Sequence, residues 1–209
     1  MLQSCFELLS PDERQKAQRY RVEKPRSDFI LTRGTLRTLI GKYLGEPPAG
    51  ISFRYTEFGK PLLDGPVELQ FNVSHTDGLA LLAFAREREV GVDVEEVRFE
   101  WDFKQLAERF FSTNERQTLG RLSVDELRPA FFRCWTRKEA YIKAKGEGLS
   151  LPLHQFDVSV EVNEKRALIA TRPDAAEANR WVVSDVAMSP QYAAAVAVGE
   201  PLAAVRSRR

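Results

Sequence analysis

The chain has 209 residues, of which 29% are charged and 43% are hydrophobic, a composition that argues against disorder over most of its length. The net charge of +1 indicates neither a nucleic-acid nor a polyacid partner. No apolar run approaches the roughly 20 residues that span a bilayer, and the first residues do not have the pattern of a signal peptide. The two cysteines and two histidines have no metal-ligand spacing, which nearly excludes a structural zinc site. Together these features lead us to expect a cytoplasmic protein with reduced thiols that binds neither nucleic acid nor a membrane.

The first half of the chain predicts helices that are followed by strands. Ser10 and Glu13 have the spacing of a capping box, and Pro11 suits the first helical position, so we expect a helix that begins here and ends before Pro25. Apolar residues at helical spacing predict a second helix that ends at Gly45. Alternating or continuous apolar residues then predict strands near 51–55, 69–73, 79–85 and 90–94.

The second half repeats this order. A helix over 102–111 precedes capping boxes that begin at Ser112 and Ser123, and a long helix over 127–145 ends at Gly146. Strands are predicted near 156–162, 167–170, 180–187 and 192–198. We therefore expect an α+β fold, a pseudo-twofold duplication with largely antiparallel sheets. Its parts are an N-terminal lobe over 1–98, a C-terminal lobe over 99–209, a boundary near 97–101 and a mobile basic tail over 205–209.

Two carboxylates share one face of the strand predicted at 91–95. Side chains alternate along a strand, so Asp93 and Glu95 point the same way as Gly91, which would leave room for a ligand. Paired hard oxygen ligands suit Mg²⁺. An edge strand with a solvated acidic face explains the same pattern equally well.

The long second-half helix carries a similar arrangement. Trp135, Glu139 and Lys143 follow one another at four-residue spacing and therefore lie along one face. A Glu and a Lys among apolar residues such as Ile142 need partners, which favours a site over an ordinary surface ion pair.

Three further positions have strong structural explanations. Glu115 stands where a capping-box glutamate belongs and by itself favours a helix cap. Lys60 and His75 each place a cationic or cationisable group at a loop or strand end, where phosphate could bind. A turn lysine and a hydrogen-bonded loop histidine are the more frequent explanations of these two.

Five segments together resemble a known family. The segments GVDVE at 91–95, FFSTNE at 110–115 and WTRKEAYIKAKGEGL at 135–149 resemble the signature motifs of the Sfp-type 4′-phosphopantetheinyl transferases, in the family's order and at about its spacing. Two other segments, FGKP at 58–61 and FNVSHTDG at 71–78, resemble further family segments. The resemblance implies two α+β lobes with the active site between them.

The resemblance also implies an activity and its partners. The expected reaction transfers the 4′-phosphopantetheine group of coenzyme A to a serine hydroxyl of an apo acyl carrier protein, or of a peptidyl or aryl carrier domain, and releases adenosine 3′,5′-bisphosphate. Carriers of fatty acid, polyketide or nonribosomal peptide synthesis are all open. The alternatives are an inactive scaffold that binds coenzyme A or a nucleotide, and another Mg²⁺-dependent phosphohydrolase.

Residue roles follow from the resemblance, position by position. It makes Asp93, Glu95 and Glu139 the ligands of Mg²⁺, with Mn²⁺ as a substitute, because three converging carboxylates and a diphosphate repel without a cation. Glu139 is also the expected base, directly or through a metal-bound water, Lys143 contacts the phosphate under attack, and Glu115 helps to order water. The residues that it places at coenzyme A are Lys60, Pro61, Ser74, His75, Thr76, Lys143, Lys16 and Arg26.

The carrier protein is expected to dock beside residues 146–149. Carrier proteins are acidic around the modified serine, and Lys138, Lys143 and Lys145 would concentrate positive charge on the neighbouring helix. Docking should then weaken as salt screens these charges. The alternative is a mainly apolar contact through residues near Leu149 and Leu151, which would not depend on salt. Because one duplicated chain would supply both sides of the site, we expect a monomer.

Overall fold

The computed structural model describes residues 1–98 and 102–201, with the side chain of residue 149 left out. The chain forms two compact units, Met1–Arg54 and Tyr55–Arg209, which are considered separately below. The predicted tail at 205–209 lies outside the described residues, as does most of the predicted boundary at 97–101. Within the described part of the chain, no helix is long and apolar enough to cross a membrane.

The first unit is mainly helical. Its helices are α1 (Leu2–Glu7), α2 (Pro11–Arg19) and α3 (Glu23–Leu44), and a short strand, β1 (Phe53–Tyr55), lies at its end. The predicted capping box is confirmed, because Glu13 Oε2 accepts from the Ser10 amide at 3.0 Å. The predicted helix end is confirmed too, since Gly45 has a φ of 70°. Helix α1 has no counterpart among the predictions.

A buried ion pair joins the helices of this unit. The Arg37 guanidinium donates to Glu13 Oε2 at 2.7 Å and to the carbonyl oxygen of Ile51 at 2.8 Å. Both charged side chains are almost completely buried. Glu13 therefore caps α2 and also anchors α3, a second role that its capping position alone does not reveal.

The second unit has strands at both ends of the chain segment and helices in the middle. Its first strands are β2 (Pro61–Leu63), β3 (Leu69–Thr76), β4 (Leu79–Arg86) and β5 (Arg88–Glu96). The helices are α4 (Phe103–Phe110), α5 (Thr113–Leu119) and α6 (Val124–Lys145). The last strands are β6 (Phe156–Val158), β7 (Leu168–Thr171), β8 (Trp181–Asp185) and β9 (Tyr192–Pro201).

The strand pairings of this unit confirm the α+β prediction. Strands β3 and β4 form an antiparallel hairpin, β6 pairs with β7, and a three-stranded sheet has the order β5-β9-β8. Helix α6 packs on that sheet, and Phe131, Phe132 and Tyr141 of α6 are fully buried in the core. The sheet therefore joins a strand from before residue 98 to the last strands of the chain.

One predicted strand is shorter than its alternating pattern suggests. Residues 156–162 alternate in hydrophobicity, but β6 ends at Val158, and Val162 is 60% exposed. The left-handed conformation of Asn163, with a φ of 60°, turns the chain just beyond this point. The strand prediction is therefore wrong for 159–162. Strand β2 was not predicted.

Candidate active site

Small residues let β5 and α6 approach each other closely. A Cβ atom on Gly91 would overlap the carbonyl oxygen of Ala140 and the main-chain atoms of Ala144. On the neighbouring strand β9, Ala197 and Ala195 are paired with Gly91 and Asp93, and both alanines are completely buried. The prediction that Gly91 leaves room for a ligand is therefore wrong, because the backbone of α6 fills that space.

This approach brings Asp93 against α6. Lys143 Nζ lies 2.6 Å from Asp93 Oδ1, and the Ser74 hydroxyl donates to the same oxygen at 2.9 Å. Lys143 also donates to Ser74 Oγ at 2.9 Å. Asp93 is only 2% exposed, so a solvated acidic strand face is wrong for this residue. Three segments that are far apart in sequence meet at one carboxylate.

Glu139 and Glu95 belong to the same electrostatic cluster. Burial raises the pKa of Glu139 to about 7, and the nearby Asp93 carboxylate adds to this rise, while Lys143 opposes it. Burial and Asp93 also raise the pKa of Glu95, and the Lys143 ammonium and the Trp135 indole partly offset that rise. The negative charge of the cluster therefore exceeds what Lys143 alone neutralises.

The chemistry of this cluster fits a hard divalent cation. Asp93 Oδ2 is buried and has no hydrogen-bond partner among the described residues, while Oδ1 is occupied by Lys143 and Ser74. A buried carboxylate oxygen without a partner is costly, and a cation would relieve that cost. Within residues 1–98 and 102–201, however, no three carboxylate, histidine or cysteine groups stand at a distance that could hold a metal ion. The donor set is suitable, although its members are not arranged as a metal centre.

The segment that carries Ser74, His75 and Thr76 is the end of a strand, which is one of the two placements, loop or strand end, that we expected for His75. These residues lie in β3, where side chains alternate between two faces. Ser74 is buried at Asp93, and Thr76 Oγ1 accepts from the amide of Glu96 at 3.4 Å. His75 is exposed on the alternate face. Ser74 is thus part of the cluster, whereas the binding of coenzyme A by these three residues stays a prediction.

Lys60 lies near the end of α6 and contacts main-chain oxygens. Its ammonium donates to the carbonyl oxygens of Ala144 at 2.8 Å and Val90 at 3.3 Å. Burial lowers the pKa of Lys60 to about 8, and Glu89 opposes this effect. The contacts tie β5 to the last turn of α6, where a cation also interacts favourably with the helix dipole. Pro61 begins β2, directly after Lys60.

Two glycines after α6 face the segment that contains Lys60. Gly146 and Gly148 have φ values of 71° and 57°, which disfavour other residues. A Cβ on Gly146 would lie 3.1 Å from Lys60 Cδ, and one on Gly148 would lie 3.2 Å from Phe58 Cβ. The absence of side chains on these glycines therefore lets the turn after α6 pack against the family-like segment at 58–61.

Glu115 forms a buried ion pair that the sequence did not reveal. Its Oε2 accepts from the Ser112 amide at 2.9 Å, which confirms the capping box. Its Oε1 accepts from the Val158 amide at 2.8 Å and lies 2.7 Å from Lys138 Nζ. Glu115 is 2% exposed, and its hydrogen bonds together with the ion pair to Lys138 join α5, α6 and β6. A catalytic share for Glu115 stays a prediction.

Lys138 differs from the expectation that it adds charge to a docking surface. It is completely buried, and its ammonium donates to the carbonyl oxygens of Leu153 and Phe156 at 2.8 and 2.6 Å. That expectation is wrong. Lys145 is partly exposed, but Glu147 and Glu177 already pair with it at 3.2 and 2.9 Å.

Lys16 and Arg26 belong to the first unit. Lys16 Nζ stands over the Phe29 ring, 5.2 Å from its centroid. Arg26 Nη1 lies 3.6 Å from a carboxylate oxygen of Glu23. The contacts of both cations within this unit are local, and their binding of a phosphate stays a prediction.

Comparison with known families covers nearly the whole chain. Residues 89–197 match the model described as the 4′-phosphopantetheinyl transferase superfamily. Residues 1–87 match the model described as the N-terminal part of 4′-phosphopantetheinyl transferases.

Several curated proteins are similar over most of their length. The chain is 37% identical over 200 residues to 4′-phosphopantetheinyl transferase HetI of Nostoc sp.. The matched region covers 94% of this chain and 81% of that protein. It is 28% identical over 193 residues to 4′-phosphopantetheinyl transferase Sfp of Bacillus subtilis, covering 92% and 83% of the two chains. An L-aminoadipate-semialdehyde dehydrogenase-phosphopantetheinyl transferase of Xenopus laevis is 27% identical over 212 residues, covering 94% and 70%.

Proposed function

Because this chain belongs to the 4′-phosphopantetheinyl transferase superfamily, we propose that the cluster around Asp93 is the place where it transfers phosphopantetheine from coenzyme A to carrier proteins. The observation that carries this assignment is the 2.6 Å contact between Lys143 Nζ and Asp93 Oδ1. It joins two motif segments that lie 50 residues apart in the sequence. A positive and a negative group at one place, beside further carboxylates, suit a diphosphate substrate and its counter-ion.

The reaction needs a nucleophile, a base and a way to neutralise charge. The serine oxygen of the carrier forms a new bond to the phosphorus nearest to pantetheine, and the bond from that phosphorus to the bridging diphosphate oxygen breaks. The bond electrons leave with adenosine 3′,5′-bisphosphate. In our proposal Glu139 accepts the proton of the serine hydroxyl, and Lys143 stabilises the charge on the phosphate under attack.

Three carboxylates are proposed to hold Mg²⁺, namely Asp93, Glu95 and Glu139. The buried and unpaired Oδ2 of Asp93 and the raised pKa values of the two glutamates support this proposal. When bound, Mg²⁺ would neutralise and polarise the diphosphate, and Mn²⁺ would serve as a substitute. Asp93 would hold the ion through Oδ2, the oxygen that Lys143 and Ser74 leave without a partner.

The contacts with coenzyme A are proposed from the family segments. We assign His75 to the 3′-phosphate because its side chain is exposed on β3, close in sequence to the buried Ser74. The segment at 58–61 and the residues Ser74 and Thr76 would line the nucleotide. Lys16 and Arg26 of the first unit are proposed as further phosphate contacts.

Docking of the carrier protein is proposed at the turn over 146–149. The two glycines that pack against the segment at 58–61 place this turn beside the end of α6. Lys138 is buried, whereas Lys143 and Lys145 are each paired with carboxylates but remain 30% and 24% exposed, so these two cations are the ones on which the proposal of charged docking rests. Three other expectations also stay proposals. The protein is proposed to be a cytoplasmic monomer, and its lobes are proposed to span 1–98 and 99–209. Glu115 is proposed to help order water.

The decisive experiment uses the whole chain with coenzyme A, Mg²⁺ and an apo carrier protein. We expect a mass gain of one phosphopantetheine, loss of this gain with EDTA, and its return with Mg²⁺ or Mn²⁺. The Asp93→Ala variant should reduce kcat at least about a hundredfold, because a group acting on transition-state charge typically has an effect of that size. Near-normal turnover of Asp93→Ala at saturating Mg²⁺ would contradict the assignment of the site.

A further inference from the structure

Strand β5 has two different kinds of neighbour along its two sides. On one side it pairs with β9 through main-chain hydrogen bonds in an antiparallel register. On the other side, polar side chains of β3 accept hydrogen bonds from β5 amides. The three bonds run from Val92 N to Asn72 Oδ1 at 2.9 Å, from Val94 N to Ser74 Oγ at 3.3 Å, and from Glu96 N to Thr76 Oγ1 at 3.4 Å.

We call Asn72, Ser74 and Thr76 the side-chain ladder. Each bond joins residues that are 20 positions apart, so the ladder advances by two residues on both strands. Alternation places these three side chains on one face of β3. A slip of one residue would bring Val73 to a β5 amide, where its apolar side chain offers no acceptor. The ladder therefore fixes the register between β3 and β5.

The middle bond of the ladder coincides with the active-site cluster. Ser74 Oγ accepts from the Val94 amide and from Lys143, and it donates to Asp93. Its position beside Asp93 depends on the register that its neighbours in the ladder maintain. Asn72 is buried with 6% exposure and forms the shortest of the three bonds.

We propose that Asn72 is a positioning residue for the transfer reaction. Among the described residues Asn72 forms no hydrogen bond to Asp93 or Lys143, but it holds β5 so that Asp93 meets Ser74 and Lys143. The part of this proposal that concerns turnover rests on the proposed function of Asp93. The part that concerns the ladder stands on hydrogen-bond geometry alone.

The chain offers variants that separate the acceptor from the space it fills. Asn72→Leu keeps the branching and the number of heavy atoms of the side chain but leaves the Val92 amide buried without a partner. Asn72→Asp keeps an oxygen acceptor at the same place. Gln70→Leu is a matched control, because Gln70 lies on the same face of β3 and, within the described residues, its side chain forms no hydrogen bond to β5.

Amide hydrogen exchange of the free protein, followed by NMR, tests the ladder without substrate or metal. In Asn72→Leu we expect the Val92 amide to exchange at least about tenfold faster, since losing a buried partner costs an amide on the order of 1–3 kcal/mol. Exchange should stay near that of the unaltered protein in Asn72→Asp and Gln70→Leu. Unchanged exchange at Val92 would overturn the proposal. So would equal acceleration at Gly91 and Asp93, whose amides face β9, because that indicates general destabilisation.

Steady-state kinetics test the effect on the reaction. Asn72→Leu should lower kcat about tenfold with little change in the KM for coenzyme A, since a small displacement of reacting groups costs rate more than binding. Asn72→Asp should restore kcat, and Gln70→Leu should not reduce it. If Asn72→Leu does not fold, Asn72→Ser, whose hydroxyl is too short to reach the Val92 amide directly, should show the same loss of kcat.

The two levels of the proposal fail in different ways. Full activity of Asp93→Ala would remove the proposed site and leave the exchange result at Val92 intact. Loss of activity in Asp93→Ala together with normal kcat in the folded Asn72 variants would overturn the positioning role and leave the site in place. An effect on the KM for coenzyme A alone would instead make Asn72 a part of the binding surface and would also overturn the proposal.

Discussion

The close approach of β5 and α6 predicts a large effect of one added methyl group. A Cβ atom built on Gly91 lies 2.8 Å from Ala144 Cα, about 0.6 Å short of the 3.4 Å at which ordinary contact begins. The overlap with the carbonyl oxygen of Ala140 is larger still. Because these are main-chain atoms of a helix, no side-chain rotation can relieve the overlap, and α6 must move away from β5.

Gly91→Ala should therefore reduce both stability and turnover. Overpacking of this kind costs about 1–3 kcal/mol, and each kcal/mol lowers Tm by about 2–4 °C in a protein of this size. The same movement separates Lys143 from Asp93, which are 2.6 Å apart. A displacement that approaches 1 Å can reduce kcat by about a hundredfold, so we expect a loss of about 10- to 100-fold.

Thermal unfolding followed by circular dichroism, together with kcat at saturating coenzyme A, measures both effects. Gly50→Ala is the matched control, because a Cβ on Gly50 meets no atom within 4 Å. If Gly91→Ala had the Tm and kcat of Gly50→Ala, our account of how β5 and α6 position the site would be refuted. A lower Tm with unchanged kcat would keep the packing argument and refute its link to turnover.

Three other predictions concern single residues. Glu115→Gln should lower the free energy of unfolding, measured in urea, by about 3 kcal/mol, because the buried Lys138 loses its counter-charge. Adding Lys138→Met should recover most of that loss. Equal stability of Glu115→Gln and the unaltered protein would contradict the buried ion pair. The pKa of Lys60 is about 8 in the folded chain against an ordinary 10.5, so folding disfavours its charged form. The free energy of unfolding of the unaltered protein, relative to that of Lys60→Met, should therefore rise between about pH 8 and 10.5. A stability difference that does not vary with pH would contradict the lowered pKa. His75→Ala should raise the KM for coenzyme A much more than that for dephospho-coenzyme A, which lacks the 3′-phosphate, and equal changes would remove His75 from that site.

Much of the local structure could be predicted from short-range patterns. The capping residues Ser10, Ser112 and Ser123 mark helix starts that the structure confirms, and Gly45 and Gly146 mark confirmed helix ends. These features depend on interactions within one turn of the chain, so neighbouring residues suffice to specify them. The family motifs likewise gave the chemical types of the site residues and their order.

The environment of each side chain was decided by tertiary packing. Periodicity correctly placed Gly91, Asp93 and Glu95 on one face, but it could not tell that α6 covers Gly91. The same limit applies to Lys138, whose charge suggested solvent although Glu115 holds it in the core. Ser74 was expected only as a contact of coenzyme A, whereas it joins β5, Asp93 and Lys143.

The physical reason is that a repeat pattern fixes only the direction of a side chain relative to its own helix or strand. What lies in that direction depends on elements that are tens of residues away in sequence, as Lys143 is from Asp93. The role of small residues such as Gly91 and Ala144 becomes visible only in the packed structure, because they leave space for the backbone of another element to approach. The sequence therefore determined the faces and the chemical groups of this site, and the packing of β5 on α6 and β3 determined that these groups meet.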